Sequence, residues 1–421
     1  MERRDEIFQE TPLHRAPYRN ISNIGIRPLA SAQCDVKSKN SINNSPLHQA
    51  VHENNIERVK HLIDDGQCDV NVRGINNETP LHVAAWNNYD EIVRIILSNP
   101  NCDVNAKNED QYRTPLHKAA RNNSAEAVKL LLSDPRCEVN ARDQDRKTAL
   151  QTSASNNSAQ AVQLLLADPR CDINAFDKHQ KNPLHSAACM NSANAVKLLL
   201  EAQCDVNAQN ESQETPLLTA VRQNRVETIS ILLSDKRCDV NAVRYDKKNV
   251  LHLICSHWKT LDCLRIILEM LFSHPRLSKG LTNVLDINGE SAITLMLRNA
   301  GNVSHYESND TFMYCLSLLT AIPGSTQACP HTLPLGVELS SHEVCHHLLI
   351  NGAMVNSCFP DGESSLHCAV RKDSFDKVKL LVDAGANLEI VWRKMNPLML
   401  ATTVLLRHSI SSPGFENNLF F

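Results

Sequence analysis

A short phrase returns along this chain at nearly constant intervals, and it constrains the fold more than any other feature. Ser45-Pro46-Leu47-His48, Thr79-Pro80-Leu81-His82 and Thr114-Pro115-Leu116-His117 are followed by Thr148-Ala149-Leu150, Asn182-Pro183-Leu184-His185, Thr215-Pro216-Leu217 and Asn249-Val250-Leu251-His252. The steps between them are 34, 35, 34, 34, 33 and 34 residues. A second phrase closes each unit, from Cys68-Asp69-Val70-Asn71 through Cys238-Asp239-Val240-Asn241. Such a period marks a supersecondary unit that buries its apolar face only by stacking on its neighbours. At ~150 residues per domain, 421 residues would suggest about three separate domains; the repeat predicts one array instead.

Each segment has a physical task. Ser or Thr before Pro starts a helix, because the hydroxyl accepts from free N–H groups and Pro fits the first helical position. Leu81, Ala84 and Ala85 form a narrow apolar stripe that lets a neighbouring helix approach closely. Val93, Ile96 and Leu97, and in the next unit Val128, Leu131 and Leu132, give the second helix its buried face. Between the two helices stand Asn54, Asn88, Asn123, Asn157, Asn191 and Asn224. Asn tolerates the left-handed conformation that ends a helix, which accounts for a chain with only 12 Gly.

The T-P-L-H phrase, the V-x-x-L-L helix and the closing D-V-N together resemble the ankyrin repeat. That resemblance implies an all-α solenoid of about eleven helix-turn-helix units with hairpin-like connecting loops. The expected organisation is a charged tail over 1–10, an array over 11–405 and a C-terminal tail over 406–421. Within the array, 45–250 is regular, 251–363 irregular with insertions, 364–395 regular, and 396–405 a partial last unit. Thr11-Pro12-Leu13-His14 opens a distorted cap unit, since Pro17 falls inside its first helix. Beyond Leu251 the spacing stretches, and segments 274–283, 302–310 and 323–330 are expected to be surface loops.

The balance of 43 Lys and Arg against 47 Asp and Glu leaves no overall basic excess for nucleic acid or membrane surfaces. The best apolar run, 264–272, is interrupted by Arg265 and Glu269, so no membrane span is expected. The first residues hold no apolar run of the kind an export signal needs. With 15 Cys, reduced thiols in the cytoplasm, or alternatively the nucleus, are expected. Seven Cys stand in register, at 34, 68, 102, 137, 171, 204 and 238. Helix layers lie about 8–10 Å apart and a disulfide needs Cα atoms within about 7 Å, so these rungs cannot bond to one another. They are expected to act as small buried hydrophobes.

The histidines of the repeat, His48, His82, His117, His185, His252 and His367, are implied by the resemblance to link neighbouring backbone. His342-Glu343-Val344-Cys345-His346 matches the H-E-x-x-H of metalloproteases. Its alignment puts Cys345 inward and both His outward, with Cys329 and His331 as the nearest candidates for further metal ligands. A zinc hydrolase using His342, Glu343 and His346 is therefore the minor alternative, and no metal or cofactor is expected.

The expected function is a non-enzymatic scaffold or adaptor, monomeric, binding a protein partner along the concave groove and not nucleic acid. The other alternative is the recognition arm of a larger protein such as a ligase adaptor, channel or toxin. The groove is expected to present first-helix residues Trp86, Asn87, Arg121, Asn122, Arg222 and Gln223. Hairpin tips are expected to add Tyr112, Arg113, Arg146, Lys147, Lys181 and Tyr245. Trp86 is either an interface anchor or packed sideways on the next unit. Finally, the resemblance implies substrates for an asparaginyl hydroxylase that favours Leu eight residues before its target. Asn105, Asn140, Asn174 and Asn241, preceded by Leu97, Leu132, Leu166 and Leu233, have that spacing.

Overall fold

The computed structural model describes residues 38–64, 68–301 and 310–411. The expected N-terminal cap unit with Cys34, residues 302–309 of the second insertion and residues 412–421 of the tail lie outside them. The chain divides into two compact units, Met1–Glu211 with Ser234–Cys238, and Ser212–Leu233 with Asp239–Phe421. The described residues form 21 α-helices, and pairing between extended segments is limited to two isolated bridges.

In the first unit the helices come in five pairs: α1 (Pro46–His52) and α2 (Ile56–Asp64), α3 (Pro80–Asn87) and α4 (Asp90–Ser98), α5 (Pro115–Arg121) and α6 (Ala125–Ser133), α7 (Ala149–Ser155) and α8 (Ala159–Ala167), α9 (Pro183–Met190) and α10 (Ala193–Glu201). First helices pack on first helices of the neighbouring repeats, and second on second. The repeated Leu47, Leu81, Leu116, Leu150 and Leu184 are all buried between layers, as are Val93, Val128 and Leu131. Each such side chain contributes about 1.5–3 kcal/mol on burial.

In the first unit every first helix starts as its sequence demands. Thr79 and Thr114 hold extended backbone at the N-cap, with Pro at the first helical position. The residue three positions on completes a reciprocal cap, and here it also joins repeats. His82 Nδ1 accepts from the Thr79 N–H at 3.1 Å, while Nε2 lies 2.9 Å from the Arg113 carbonyl one repeat away. His48 and His117 make the same link, to the carbonyls of Glu78 and Lys147. An Nδ1 that accepts and an Nε2 that donates require the neutral ring. In the fourth repeat Gln151 does both jobs, accepting from the Thr148 N–H at 3.0 Å and donating to the Lys181 carbonyl at 2.7 Å.

All six Asn between the helices are left-handed, with φ from 52 to 61°. Their side chains explain why the position is not Gly. Oδ1 of Asn88, Asn123 and Asn157 accepts from the N–H of Ala127, Ala161 and Ala195, in the first turn of the next repeat's second helix. Those N–H groups lack partners within their own helix. Asn123→Gly keeps the backbone conformation but loses this acceptor, and should lower stability by about 1 kcal/mol in urea titration. An unchanged midpoint would mean that conformation alone fixes the residue.

The closing D-V-N forms the third link. Asp103 Oδ1 accepts from the Asn105 N–H, and Asn105 in turn donates to the Arg136 carbonyl and accepts from the Glu138 N–H, both at 2.8 Å. A fourth link was not legible in the sequence. Arg136, Arg170 and Arg237 fold onto Asp134, Asp168 and Asp235. They then donate to the carbonyls of Leu97, Leu132 and Leu200, near the C-terminal ends of the preceding second helices. Cations at helix C-termini are stabilising there.

The second unit contains α11 (Pro216–Arg222), α12 (Val226–Ser234), α13 (Val250–His257), α14 (Leu261–Ser273), α15 (Ala292–Gly301), α16 (Asp310–Thr320), α17 (Thr332–Leu339), α18 (His342–Ile350), α19 (Ser365–Arg371), α20 (Phe375–Asp383) and α21 (Pro397–Ser411). The stretched spacing is only partly loop. α14 has 13 residues where the regular second helices have 9, so one extra turn accounts for four of them. Segments 274–283 and 323–330, expected on the surface, instead bury Leu281, Thr282, Ser325, Thr326 and Cys329. Two contacts help to hold them in place: Asn249 donates to the Leu281 carbonyl, and Thr326 to that of Asn351, although the buried Ser325 hydroxyl has no hydrogen-bond partner. α21 runs past the expected boundary at 405 to Ser411.

Candidate protein-binding surface

The residue just before each first-helix cap reads, in sequence order, Glu78, Arg113, Lys147 and Lys181 in the first unit and Glu214 and Lys248 in the second. In the first unit the three consecutive cations line one open depression of about 370 Å³, which also takes in Arg121 from α5 and Lys178 from the next tip. Two carboxylates, Asp145 and Asp177, line it as well, and both are already engaged. Asp145 lies 2.6 Å from Lys178 Nζ and 3.8 Å from Lys147 Nζ. The hydrogen bond from Lys178 holds its carboxyl below the usual range. Asp177 accepts from the backbone N–H groups of His179 and Lys181, which shapes the hairpin tip.

The cations are less well satisfied. Arg113 Nε is 3.8 Å from Asp143 and is buried without a hydrogen bond. Burial, and next the positive charge of Arg121, holds its guanidinium below the usual arginine range. Thr152, only 3% exposed, lines the same depression with its Oγ1 also lacking a hydrogen-bond partner. Met190 adds an apolar edge and is 57% exposed.

Of the twelve residues expected on the binding surface, the structure thus brings Arg113, Arg121, Lys147 and Lys181 together. Tyr112 and Arg146 are exposed on hairpin tips, both in the left-handed conformation. Asn87 and Asn122 lie exposed on or just after their first helices, and their side chains donate to the Val83 and Trp86 carbonyls. Trp86 is half-buried, with Lys118 of the next repeat 4.7 Å above its ring, so it does engage its neighbour sideways. Lys118 in turn pairs with Glu78 at 2.6 Å. In the second unit Arg222 and Arg244 both pair with the buried carboxylate of Glu214. Gln223 is partly exposed beside Arg222, and Tyr245 is 60% exposed with Arg244 over its ring. Thr152 and Met190 escaped the sequence reading, and the run of three cations emerges only when the repeats are aligned position by position.

The cysteine register behaves as small buried side chains with two exceptions. Cys102, Cys137, Cys204 and Cys238 are buried, whereas Cys68 and Cys171 are partly exposed. Burial pushes the thiol of Cys102 to about 11 and those of Cys137 and Cys204 to about 12, leaving little thiolate at neutral pH. His342 and His346 are exposed on α18 with rings stacked 6.3 Å apart, and Cys345 is buried. Cys329 and His331 do not complete a site with them. Cys329 donates to the Gly289 carbonyl, and His331 bonds that of Cys358, standing in for the repeat histidine. Among the described residues no three His, Cys, Asp or Glu side chains gather where they could hold a metal ion. Asn105, Asn140 and Asn241 each donate to a carbonyl of the following repeat, and Asn174 accepts from the Asp205 N–H. A hydroxylase would have to draw these loops out of the stack. No described helix is long and apolar enough to cross a membrane.

Comparison with known proteins gives a consistent result. The family model described as ankyrin repeats in three copies matches residues 13–108, 100–177, 116–210 and 184–280, and the single ankyrin repeat matches 361–392. Among solved structures, the ankyrin repeat domain of Bcl-3, described as a unique member of the IkappaB protein family, is 28% identical with a TM-score of 0.43. The match covers 49% of this chain and 90% of that one. The search of curated proteins found no match.

Proposed function

Since the chain belongs to the ankyrin-repeat family, whose members generally mediate protein–protein interaction, we propose that it is a non-enzymatic scaffold or adaptor that binds a protein partner on the first-helix and hairpin-tip face of its first unit. The observation that carries this reading is the convergence of Arg113, Arg121, Lys147 and Lys181 on one depression. A cluster of under-satisfied cations with an exposed apolar edge is a surface that gains from being covered. Cys102, Cys137 and Cys204 are free thiols in the repeat register, which supports a reducing compartment, cytoplasm or nucleus.

Replacing both Trp86 and Arg121 with Ala tests the assignment. Neither change empties a core position, so the thermal midpoint should move little. Capture of partners by the intact chain should fall by about tenfold or more if either side chain is an anchor. Undiminished capture of the same partners would remove this face from consideration.

A further inference from the structure

Resting on that reading, we propose that the partner presents an extended acidic segment whose carboxylates are spaced about three residues apart, with an apolar side chain seated against Met190. Arg113, Lys147 and Lys181 occupy one position in three consecutive repeats, so they recur once per layer. Packed helix layers are about 8–10 Å apart. A chain in the extended polyproline II conformation advances about 3.1 Å per residue with three residues per turn, so every third side chain returns to the same face at about that spacing. Within the first unit the run begins after Glu78, where the sign reverses and the carboxylate is already paired with Lys118. The cationic run of this unit is therefore three rungs long.

The buried Arg113 Nε and Thr152 Oγ1, each without a hydrogen-bond partner, supply two donors at the depression that a carboxylate would satisfy. Arg121 and Lys181 make no ion pair of their own among the described residues, which leaves both charges available to a ligand. The chemistry favours a peptide over a nucleic acid. No Phe, Tyr or Trp side chain lines the depression to stack a base, the one imidazole there, His179, lies 3.2 Å from the Glu211 carboxylate, and the exposed Met190 offers an apolar contact instead.

Fluorescence anisotropy on the full chain tests this with three labelled probes: a peptide with glutamate at every third position and leucine among the residues between, an isomer of equal composition with its glutamates adjacent, and a single-stranded oligonucleotide. The spaced peptide should bind at least about tenfold more tightly than the isomer, with affinity falling as salt rises. Lys181→Glu and Arg121→Glu should each weaken it by about tenfold or more, while circular dichroism confirms that both variants stay folded. Equal binding of the two peptides, indifference to both substitutions or tighter binding of the oligonucleotide would overturn the proposal. If Lys181→Glu abolishes peptide binding yet partners are captured as before, the acidic-segment idea fails while the binding face stands. If Trp86→Ala with Arg121→Ala leaves capture intact, the face itself is wrong.

Discussion

Lowering the pH from 7 to 5 should remove about 4 kcal/mol of stability from the first unit, about 2 kcal/mol from each of His48 and His82. Burial lowers both imidazoles from 6.5 to about 4, and the backbone bonds they make hold only the neutral ring. Above pH 6.5 the rings are neutral whether the chain is folded or not, so stability is flat. As pH falls through 6.5 the unfolded chain takes up protons that the folded chain refuses. Stability therefore drops, and the loss levels off near pH 4, where the buried rings themselves protonate. Burial lowers His117 in the same direction and adds to the loss. Asp134, Asp145 and Asp168 lie below their ordinary 3.8 and so titrate outside this window. The repeat with Gln151 suggests the control. His48→Gln with His82→Gln should fold at pH 7 and lose markedly less stability at pH 5 in urea titrations. An equal loss in the double variant would show that these histidines are not the acid-sensitive links.

The second large effect concerns the core. Leu131 is fully buried on α6 between neighbouring repeats, and Leu131→Ala should cost about 2–5 kcal/mol as a cavity that packed layers cannot close. A repeat in this stack is held by four kinds of bond to its neighbours, so the loss should spread. Amide exchange should rise together in α4, α6 and α8, which pack side by side. Faster exchange confined to α6 would contradict a cooperative stack.

Much of this architecture was legible because the repeat states each physical requirement several times. The left-handed Asn residues, the Pro-led helix starts and the outward His342 and His346 all follow from local chemistry that needs only a few neighbouring residues, while the histidine links, which cross a repeat boundary, were implied by the family resemblance. What escaped notice depends on contact across a repeat boundary. Nothing in Asp168-Pro169-Arg170 says that the guanidinium reaches the Leu132 carbonyl, because that partner is 38 residues away. The packing of 323–330 likewise depends on an acceptor at Asn351. The proposed binding surface was half visible: its cations stood in the sequence, but their convergence, and the prior engagement of Arg222 by Glu214, are facts of three dimensions.

The central claim is that this chain binds a protein partner through the depression between its third and fifth repeats. Site-specific photo-crosslinking tests it most directly, with a diazirine analogue of methionine at position 190, which lines the depression, and in a separate protein at position 129, which is exposed on the second helix α6. Irradiation of the captured complex should give a covalent adduct from position 190 to an acidic segment of the partner, and none from position 129. Adducts from position 129 alone, or in equal yield from both, would contradict the account.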